Sequence, residues 1–318
     1  MIKVAYIGGS WSSNIGNSFY NLGTQALLDT IEGIESYFVP DPPHWKEDVK
    51  NDFDIIGNLD VDLVILTGPC LNLNLIKIFS DTFVALKKRG VHIGFLSAGM
   101  SLYDDGEAKA VKAFLDQFKP LFIFTRDSDT YNFLSTIDSS IIYDGLCASM
   151  FLNDAVNVPP LSLEDYYVFN FDGHKEPLIE LNASGKYLIK PKNWRPQRNL
   201  NGLPIIRTDN RAITDGYKNI YSRPNIYHSD LPYGYLSILK GAKVVFSERV
   251  HSCAATLILG GSAQFVPLAQ RSLEKRSRLF ERIGVPDIFE QPSRLDFQYI
   301  NAEKAEMQQA LKNALSTL

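Results

Sequence analysis

Arg249 and His251 are the residues of this sequence best suited to chemistry, because they stand two positions apart where a predicted strand meets a predicted helix. An arginine guanidinium binds a carboxylate or a phosphate through two parallel hydrogen bonds. A histidine transfers protons near neutral pH. The same spacing suits a structural role, in which Arg249 pairs with a carboxylate such as Glu248 and His251 caps the helix. The pair is therefore a candidate anion-binding and acid–base site.

The sequence around this pair predicts the elements that position it. Apolar runs and a glycine stop indicate a strand, a helix and a second strand, at Lys243–Phe246, Ser252–Leu259 and Ala263–Leu268. In open parallel sheets ligands bind at the carboxyl ends of strands, and helix N-termini attract anions. Ser247 and Ser252 flank the turn between the first strand and the helix, so both are predicted to contact the same ligand.

A polar segment after the first predicted strand, Val4–Ile7, is a second candidate site. We predict a long loop that precedes a helix at Gln25–Ile34. Glycine permits close approach of the backbone to a ligand, and exposed amides bind anions or sugar hydroxyls. The candidate substrate contacts are Asn14, Gly16, Asn17, Asn21 and Gly23. A loop without a ligand remains the alternative, because the sequence contains neither a dinucleotide-binding glycine motif nor a P-loop.

Two further cations are candidate substrate contacts. Arg126 follows the predicted strand Leu121–Phe124 and is predicted to bind an anion at the end of that strand, although pairing with Asp127 explains it equally well. Lys275 lies in a basic segment after the last core strand, which is typical of a solvated face but is placed to contact an anion. No spacing of histidines and cysteines indicates a metal site, and no G-x-S-x-G motif indicates a nucleophilic serine.

Strands and helices alternate along the first half of the chain, which is typical of a parallel sheet with helices on both faces. Two consecutive prolines, Pro159 and Pro160, interrupt this pattern and indicate a domain boundary. Short strands resume beyond it, among them Tyr187–Ile189. We therefore predict an N-terminal domain of residues 1–157, a C-terminal domain of residues 161–301, and a helix at 302–318 that docks on the N-terminal domain.

The composition of the chain limits the functional classes to which the protein can belong. The chain has 318 residues, 45% of them hydrophobic, and a net charge of −4, so it lacks the basic character that nucleic-acid binding requires. No apolar segment is long enough to span a membrane and the N-terminus does not resemble a signal peptide, which predicts a cytoplasmic protein without a transmembrane segment. Peripheral membrane association and the oligomeric state stay open. The three cysteines are predicted to be free thiols.

Three blocks of the sequence resemble elements of the polysaccharide pyruvyl transferase family. Residues 21–27 (NLGTQAL) resemble an early N-x-G-D-x-A-L element, and residues 126–134 (RDSDTYNFL) resemble an R-D-x-x-S-x-x-x-L element. Residues 247–251 (SERVH), with the helix that follows them, resemble the family's S-x-R-x-H block. Thr24 departs from the acidic residue of the first element, and Gly68, Pro69 and Cys70 stand where the family commonly has a glycine triplet.

The resemblance implies an α/β fold similar to GT-B glycosyltransferases: two Rossmann-like domains facing across a cleft, each a parallel sheet with helices on both faces. The N-terminal domain would lie on the acceptor side and the C-terminal domain on the donor side. The resemblance also implies an enzyme that takes phosphoenolpyruvate as its donor substrate. The reaction needs no cofactor or metal in principle, and a divalent ion that bridges the phosphate stays open. The enzyme would transfer a ketal-linked pyruvyl group to sugar hydroxyls of a glycan or lipid-linked precursor in surface-polysaccharide biosynthesis.

The candidate residues suit that chemistry. Phosphoenolpyruvate carries a carboxylate and a phosphate, which two fixed guanidinium groups in a cleft would bind, and Arg249 and Arg126 are the candidates. Ketal formation also needs proton transfer, for which His251 is the candidate acid and base. Two alternatives stay open: a glycosyltransferase of similar fold that uses a nucleotide sugar, and a non-catalytic glycan-binding relative. Fold-level resemblance does not separate them, and the departures in the first block motivate the second alternative.

Overall fold

The computed structural model of this chain describes residues 1–11, 14–40, 54–137, 141–191, 195–210, 222–267 and 278–318. The chain divides into two compact units. Unit 1 comprises Met1–Ser10, Tyr20–Ala155 and Phe297–Leu318, and unit 2 comprises Trp11–Phe19 and Val156–Asp296. The short N-terminal segment 11–19 therefore belongs to the same unit as Arg249.

Unit 1 is built on a six-stranded parallel sheet with the strand order β2–β1–β3–β4–β5–β6. Its strands are β1 (Ile2–Gly8), β2 (Ile34–Pro40), β3 (Leu63–Thr67), β4 (His92–Ala98), β5 (Phe122–Thr125) and β6 (Ile141–Tyr143). Every residue of β3 is buried, because a parallel sheet is covered on both faces and its inner strands must be continuously apolar.

Unit 2 is built on a second sheet with the strand order β10–β11–β7–β13–β14, in which β12 also pairs with β11. Its pairings are parallel except for that of β10 with β11. A separate antiparallel hairpin joins β8 to β9. The strands are β7 (Tyr167–Asn170), β8 (Leu178–Leu181), β9 (Tyr187–Lys190), β10 (Asn199–Leu200), β11 (Leu203–Thr208), β12 (Ile226–Tyr227), β13 (Val244–Ser247) and β14 (Ala263–Phe265).

Helices connect these strands. They are α1 (Gly16–Asp29), α2 (Asp54–Asn58), α3 (Leu73–Lys88), α4 (Asp105–Phe118), α5 (Ser128–Leu134), α6 (Leu152–Ala155), α7 (Pro232–Gly241), α8 (Val250–Ile258) and α9 (Phe297–Leu315), with short 3-10 helices at Ala148–Phe151 and Pro286–Phe289. The α8 helix is buried from Ser252 to Ile258, as its apolar sequence predicts. In the described part of the chain, no helix combines the length and the apolar composition needed to cross a bilayer.

The C-terminal helix α9 packs within unit 1. Lys304 lies only 7% exposed, with its Nζ 2.5 Å from the Asp154 carboxylate and 3.0 Å from Oδ1 of Asn153. The same ammonium stands 5.1 Å above the ring of Phe151. The Sδ of Met307 accepts a hydrogen bond from the backbone N–H of Leu146. The helix begins at Phe297, earlier than the predicted residue 302.

The predicted loop before residue 25 is wrong, because α1 already begins at Gly16. Asn14 caps the helix: its Oδ1 accepts the N–H of Gly16 at 2.9 Å and its carbonyl accepts the N–H of Asn17 at 2.9 Å. The helix also ends earlier than the predicted Ile34, which instead begins β2. Gly33, with a φ of 84°, turns the chain between them.

The predicted short strand Tyr187–Ile189 is confirmed as part of β9. Among the described residues this strand pairs with β8 alone, in the antiparallel hairpin, and not with the parallel strands of unit 2. Alternation of apolar and polar residues predicts a strand but not the strand with which it pairs. Here the pairing depends on the turn at residues 182–186. The fold class itself, two Rossmann-like units with helix-covered parallel sheets, is as predicted.

Candidate active site

The carboxyl edge of the unit 2 sheet carries the polar residues that define the candidate site. β11, β7 and β13 are parallel neighbours, so the segments that follow them meet at one edge. Asp209 and Asn210 follow β11, Asp172 follows β7, and Glu248 and Arg249 follow β13. The first four of these side chains are buried and Arg249 is half-buried. Ligands of open parallel sheets bind at this edge.

Arg249 stands at the N-cap position of α8 and is held by Asp172. Its Nε lies 2.6 Å from Oδ1 of Asp172, and the two side chains are 14% and 1% exposed. Its Nη2 is buried and has no hydrogen-bond partner among the described residues. One edge of the guanidinium is therefore fixed by a carboxylate, and the other edge retains N–H groups that an anion would satisfy.

Buried polar side chains fix the turn between β13 and α8. The Ser247 hydroxyl donates to Oδ1 of Asn170 at 2.7 Å and accepts the N–H of Arg249 at 2.8 Å. The Ser252 hydroxyl lies 3.2 Å from Oδ1 of Asn210, which also accepts from Nδ2 of Asn170 at 3.1 Å. Both serine hydroxyls therefore bond within the protein, and their contact with substrate stays a prediction.

The N-terminal segment of unit 2 lies against the same edge. The N–H of Ile15 donates to the carbonyl of Asn210 at 2.8 Å. A Cβ at Gly16 would stand 2.9 Å from Nδ2 of Asn210, 3.1 Å from Oδ1 of Asn14 and 3.5 Å from Cβ of His251. The first turn of α1 and the first turn of α8 therefore meet here, and a glycine is needed at position 16 because any side chain would enter this contact.

Glu248 does not pair with Arg249, although the sequence allowed that pairing. Its Oε1 accepts the backbone N–H of Gly173 at 2.6 Å and that of His174 at 3.2 Å, and its Oε2 contacts Nδ1 of His174. Arg249 pairs with Asp172 instead, so two adjacent residues after β13 hold three consecutive residues after β7. In the described part of the chain, no group of three His, Cys, Asp or Glu side chains is arranged to hold a metal ion.

Arg126 follows β5 in unit 1 and forms a cluster with Asp127 and Tyr103. Its Nε lies 3.7 Å from Oδ2 of Asp127, its Nη2 lies 3.4 Å from the Tyr103 hydroxyl, and that hydroxyl donates to Asp127 at 2.8 Å. Burial would lower the pKa of Arg126, but Tyr103 and Asp127 raise it above its usual value. The structure therefore contains the Arg126–Asp127 pair, and binding of substrate by Arg126 stays a prediction.

Asn21 and Gly23 have structural roles within unit 1. Asn21 is buried, and its Nδ2 donates to the carbonyl of Gly9 at 2.9 Å, which anchors the chain after β1. A Cβ at Gly23 would lie 1.8 Å from the carbonyl oxygen of Ala148. The helix α1 approaches the 3-10 helix so closely here that only glycine fits. These contacts explain both residue types, and their ligand role stays a prediction.

Replacing Gly23 by alanine is expected to destabilise the protein by about 1–3 kcal/mol or more, because the new methyl group would overlap backbone atoms that cannot move aside independently. Urea denaturation measures this. Gly57→Ala is the matched control, since a Cβ at that helical position would meet Ala85 at an ordinary 3.7 Å. The control is expected to keep or slightly raise the midpoint. An unchanged midpoint for Gly23→Ala would contradict the close approach.

The predicted site residues fall into two groups. Unit 2 brings together Asn14, Gly16, Asn17, Ser247, Arg249, His251 and Ser252, which lie on the contacting first turns of α1 and α8 and on the turn before α8. Unit 1 contains Arg126, Asn21 and Gly23. Lys275 lies outside the described residues. Only the first group belongs to the same unit as the Arg249 guanidinium.

Sequence reasoning missed the residues that hold Arg249 and the two serines beside it. Asp172, Asn170 and Asn210 each lie at the end of a strand or within two residues of it, and each was left without a role. The rule that ligands bind at the carboxyl ends of parallel strands was not applied to the predicted strands Tyr167–Phe171 and Pro204–Arg207. Applied to every predicted strand, it would have selected these three polar residues as well.

Comparison with solved structures defines the fold class of the protein. The chain matches a UDP-N-acetylglucosamine 2-epimerase from Rickettsia bellii with a TM-score of 0.52 and 13% identity, covering 98% of this chain and 96% of that one. It matches the S. aureus MnaA–UDP co-structure with a TM-score of 0.53 and 9% identity, covering 96% and 91%. At such low identities these matches establish the fold alone, which is GT-B-like with two Rossmann-like units.

A match to a family model identifies the chain more specifically than the fold does. A family model described as polysaccharide pyruvyl transferase matches residues 14–263, which include the candidate site of unit 2. The chain belongs to the polysaccharide pyruvyl transferase family, as the three sequence blocks predicted. No curated protein sequence matches it.

Proposed function

We propose that the protein is an enzyme that transfers a pyruvyl group from phosphoenolpyruvate, as a ketal, to two hydroxyls of a sugar in surface-polysaccharide biosynthesis. The acceptor would be a glycan or a lipid-linked sugar. Membership of the pyruvyl transferase family supports the reaction class. The observation that carries the proposal is Arg249, whose Nη2 is buried without a partner in the described part of the chain while its Nε is fixed by Asp172.

The hydrogen-bond donors of the site support a small anionic donor substrate. A guanidinium that is held on one edge loses little conformational entropy when an anion binds its other edge. The backbone N–H groups of the first turn of α8 add positive potential beside it. Asp172 offsets the positive charge of Arg249. Binding therefore depends on hydrogen bonds from the unpartnered N–H groups, which favour a ligand with strongly accepting oxygens. The carboxylate and the phosphate of phosphoenolpyruvate both provide such oxygens.

His251 is proposed as the acid that protonates C3 of the enol. It is the second residue of α8, which begins at Val250, so its backbone is fixed relative to Arg249. Its Cβ packs against the N-terminal segment at Gly16. A histidine held in this way transfers protons without a large rearrangement, which contributes about 10²–10⁴-fold to the rate. Arg126 in unit 1 and Lys275 remain predicted contacts of the donor substrate, phosphoenolpyruvate.

Calorimetric titration with phosphoenolpyruvate tests the proposal. The wild-type protein is expected to bind it and to gain thermal stability, by about 2.7 kcal/mol when the ligand is present at 100 times its dissociation constant. UDP-N-acetylglucosamine and UDP-glucose serve as comparison ligands. Binding of a nucleotide sugar without any response to phosphoenolpyruvate would contradict the proposal and favour a glycosyltransferase. Phosphate release in the presence of a panel of methyl glycosides then tests turnover.

A further inference from the structure

A second histidine at the carboxyl edge of the unit 2 sheet is oriented by a buried carboxylate. Nδ1 of His228 lies 2.8 Å from Oδ2 of Asp209, and Oδ1 of Asp209 accepts the hydroxyl of Tyr235 at 2.7 Å. Asp209 is fully buried and the His228 ring is 24% exposed. When Nδ1–H is donated to a carboxylate, Nε2 is the acceptor nitrogen of the neutral imidazole.

The surroundings hold this pair rigidly. The Tyr235 hydroxyl also accepts the N–H of Ser229 at 3.0 Å, which fixes the loop that carries His228. The rings of Tyr227 and Tyr235 pack edge to face at 5.0 Å, and Gly234 leaves room for the Tyr227 hydroxyl. Burial raises the pKa of Asp209, against the opposing hydrogen bonds from Tyr235 and His228. Burying an ionisable group destabilises the folded protein, and a carboxylate buried in this way is characteristic of a functional position.

The pair belongs to the same edge as Arg249. His228 follows β12 and Asp209 follows β11, and these strands are parallel neighbours in the unit 2 sheet. Asn210, the residue after Asp209, donates its backbone N–H to Oδ2 of Asp172 at 3.2 Å. Asp172 in turn holds Arg249. A continuous set of hydrogen bonds and one peptide unit therefore connects the histidine to the guanidinium.

Ketal formation needs more than one group that handles protons. Two sugar hydroxyls each lose a proton, the C3 methylene of phosphoenolpyruvate gains one, and the departing phosphate gains the other. The proposed function gives His251 the transfer to C3. The proton of the hydroxyl that attacks first must be removed while His251 is still acting as an acid, so a separate base is required at that moment.

We propose, on the basis of the proposed function, that His228 is this base and that Asp209 is its positioning residue. The hydroxyl proton passes to Nε2 of His228 as the sugar oxygen bonds to C2, and the C2=C3 electron pair takes a proton from His251. The bond between C2 and the phosphate oxygen then breaks. The phosphate leaves with that electron pair and takes the proton from His228. The second hydroxyl bonds to C2 and returns a proton to His251, so both histidines regain their starting states.

Kinetics of phosphate release with methyl glycosides as acceptors test this assignment, using His228→Gln and Asp209→Asn. Each variant is expected to lower kcat by about 10²-fold or more while the affinity for phosphoenolpyruvate, measured by calorimetry, stays within about twofold. His92→Gln is the matched control, because that histidine is exposed at the start of β4 in unit 1. The control is expected to have wild-type kcat and affinity.

Nitrogen-15 NMR of histidine-labelled protein gives a readout that needs no acceptor. Neutral His228 is expected as the Nδ1–H tautomer, and Asp209→Asn is expected to shift it toward the Nε2–H tautomer because the amide can donate to Nδ1. A neutral Nε2–H tautomer in the wild type would overturn the inference. So would a His228→Gln variant with wild-type kcat, or one whose loss lies wholly in the affinity for phosphoenolpyruvate. Failure of the wild type to bind phosphoenolpyruvate would instead overturn the proposed function.

Discussion

Arg249→Ala is expected to weaken the binding of phosphoenolpyruvate by about 10²–10³-fold, the largest effect on affinity of any single substitution in unit 2. Removing one partner of a desolvated charge pair costs about 2–5 kcal/mol, and 1.4 kcal/mol is a factor of ten. Arg249→Lys is expected to recover only part of the affinity, because an ammonium lacks the planar fork that binds an anion while Asp172 holds Nε. Calorimetric titration measures both effects.

The loss of Arg249 also removes the partner of Asp172, which is buried, so a control must separate folding from binding. Arg249→Ala combined with Asp172→Asn removes the unpaired buried charge and is expected to regain stability without regaining affinity. Arg294→Ala is the matched surface control in the same unit, since that exposed guanidinium bonds only the carbonyl of Gly260 among the described residues. Affinity that returns with stability in the double variant would show that Arg249 acts through the fold alone.

These experiments also decide between an enzyme and a non-catalytic relative. Thr24 replaces the acidic residue of the family's first element, and in the structure its hydroxyl lies 3.1 Å from that of Thr67 in the interior of unit 1. An internal hydrogen bond of this kind needs no ligand. A protein that binds sugars in the absence of phosphoenolpyruvate, and whose sugar affinity Arg249→Ala leaves unchanged, would fit a binding protein better than a transferase.

The elements around Arg249 could be predicted because local signals agree there. The apolar strand, the apolar helix and the glycine stop place α8 within two residues of its observed ends, Val250 and Ile258. The turn between the strand and the helix follows because the two elements are consecutive in the chain. Arg249 and His251 therefore reach the carboxyl edge of a parallel sheet whatever the details of the other loops.

The start of α1 could not be predicted from the same signals. Its first residues are glycine, asparagine and serine, which have low helix propensity and are typical of loops. The helix forms because Ile15 and Phe19 are buried and because the N–H of Ile15 donates to the carbonyl of Asn210, which lies far along the chain. These are tertiary effects. The partnership of Arg249 with Asp172 is likewise a consequence of strand order, because 77 positions separate the two residues in the sequence.

His251→Gln is expected to lower kcat for phosphate release by about 10²–10⁴-fold and to leave the affinity for phosphoenolpyruvate nearly unchanged. Glutamine is a good helix former of similar size, so α8 and the neighbouring Arg249 keep their positions. It retains hydrogen-bonding groups but has no group that releases a proton near neutral pH. The loss therefore falls on protonation of C3 and leaves the binding of the anion intact.

Comparison with Arg249→Ala makes the assignment of His251 specific. The arginine variant is expected to lose affinity, whereas the histidine variant is expected to lose turnover, and the same His92→Gln control applies to both measurements. Gly16→Ala gives an independent test, because its Cβ would stand 2.9 Å from Nδ2 of Asn210 and 3.5 Å from Cβ of His251. The new methyl group must displace the Asn210 amide, which bonds the hydroxyl of Ser252 next to His251, and this shift is expected to lower kcat by a smaller factor than removing the histidine. If His251→Gln kept wild-type kcat, another group would have to protonate C3, and the acid–base role of the Arg-x-His pair would be lost while its anion-binding role remained.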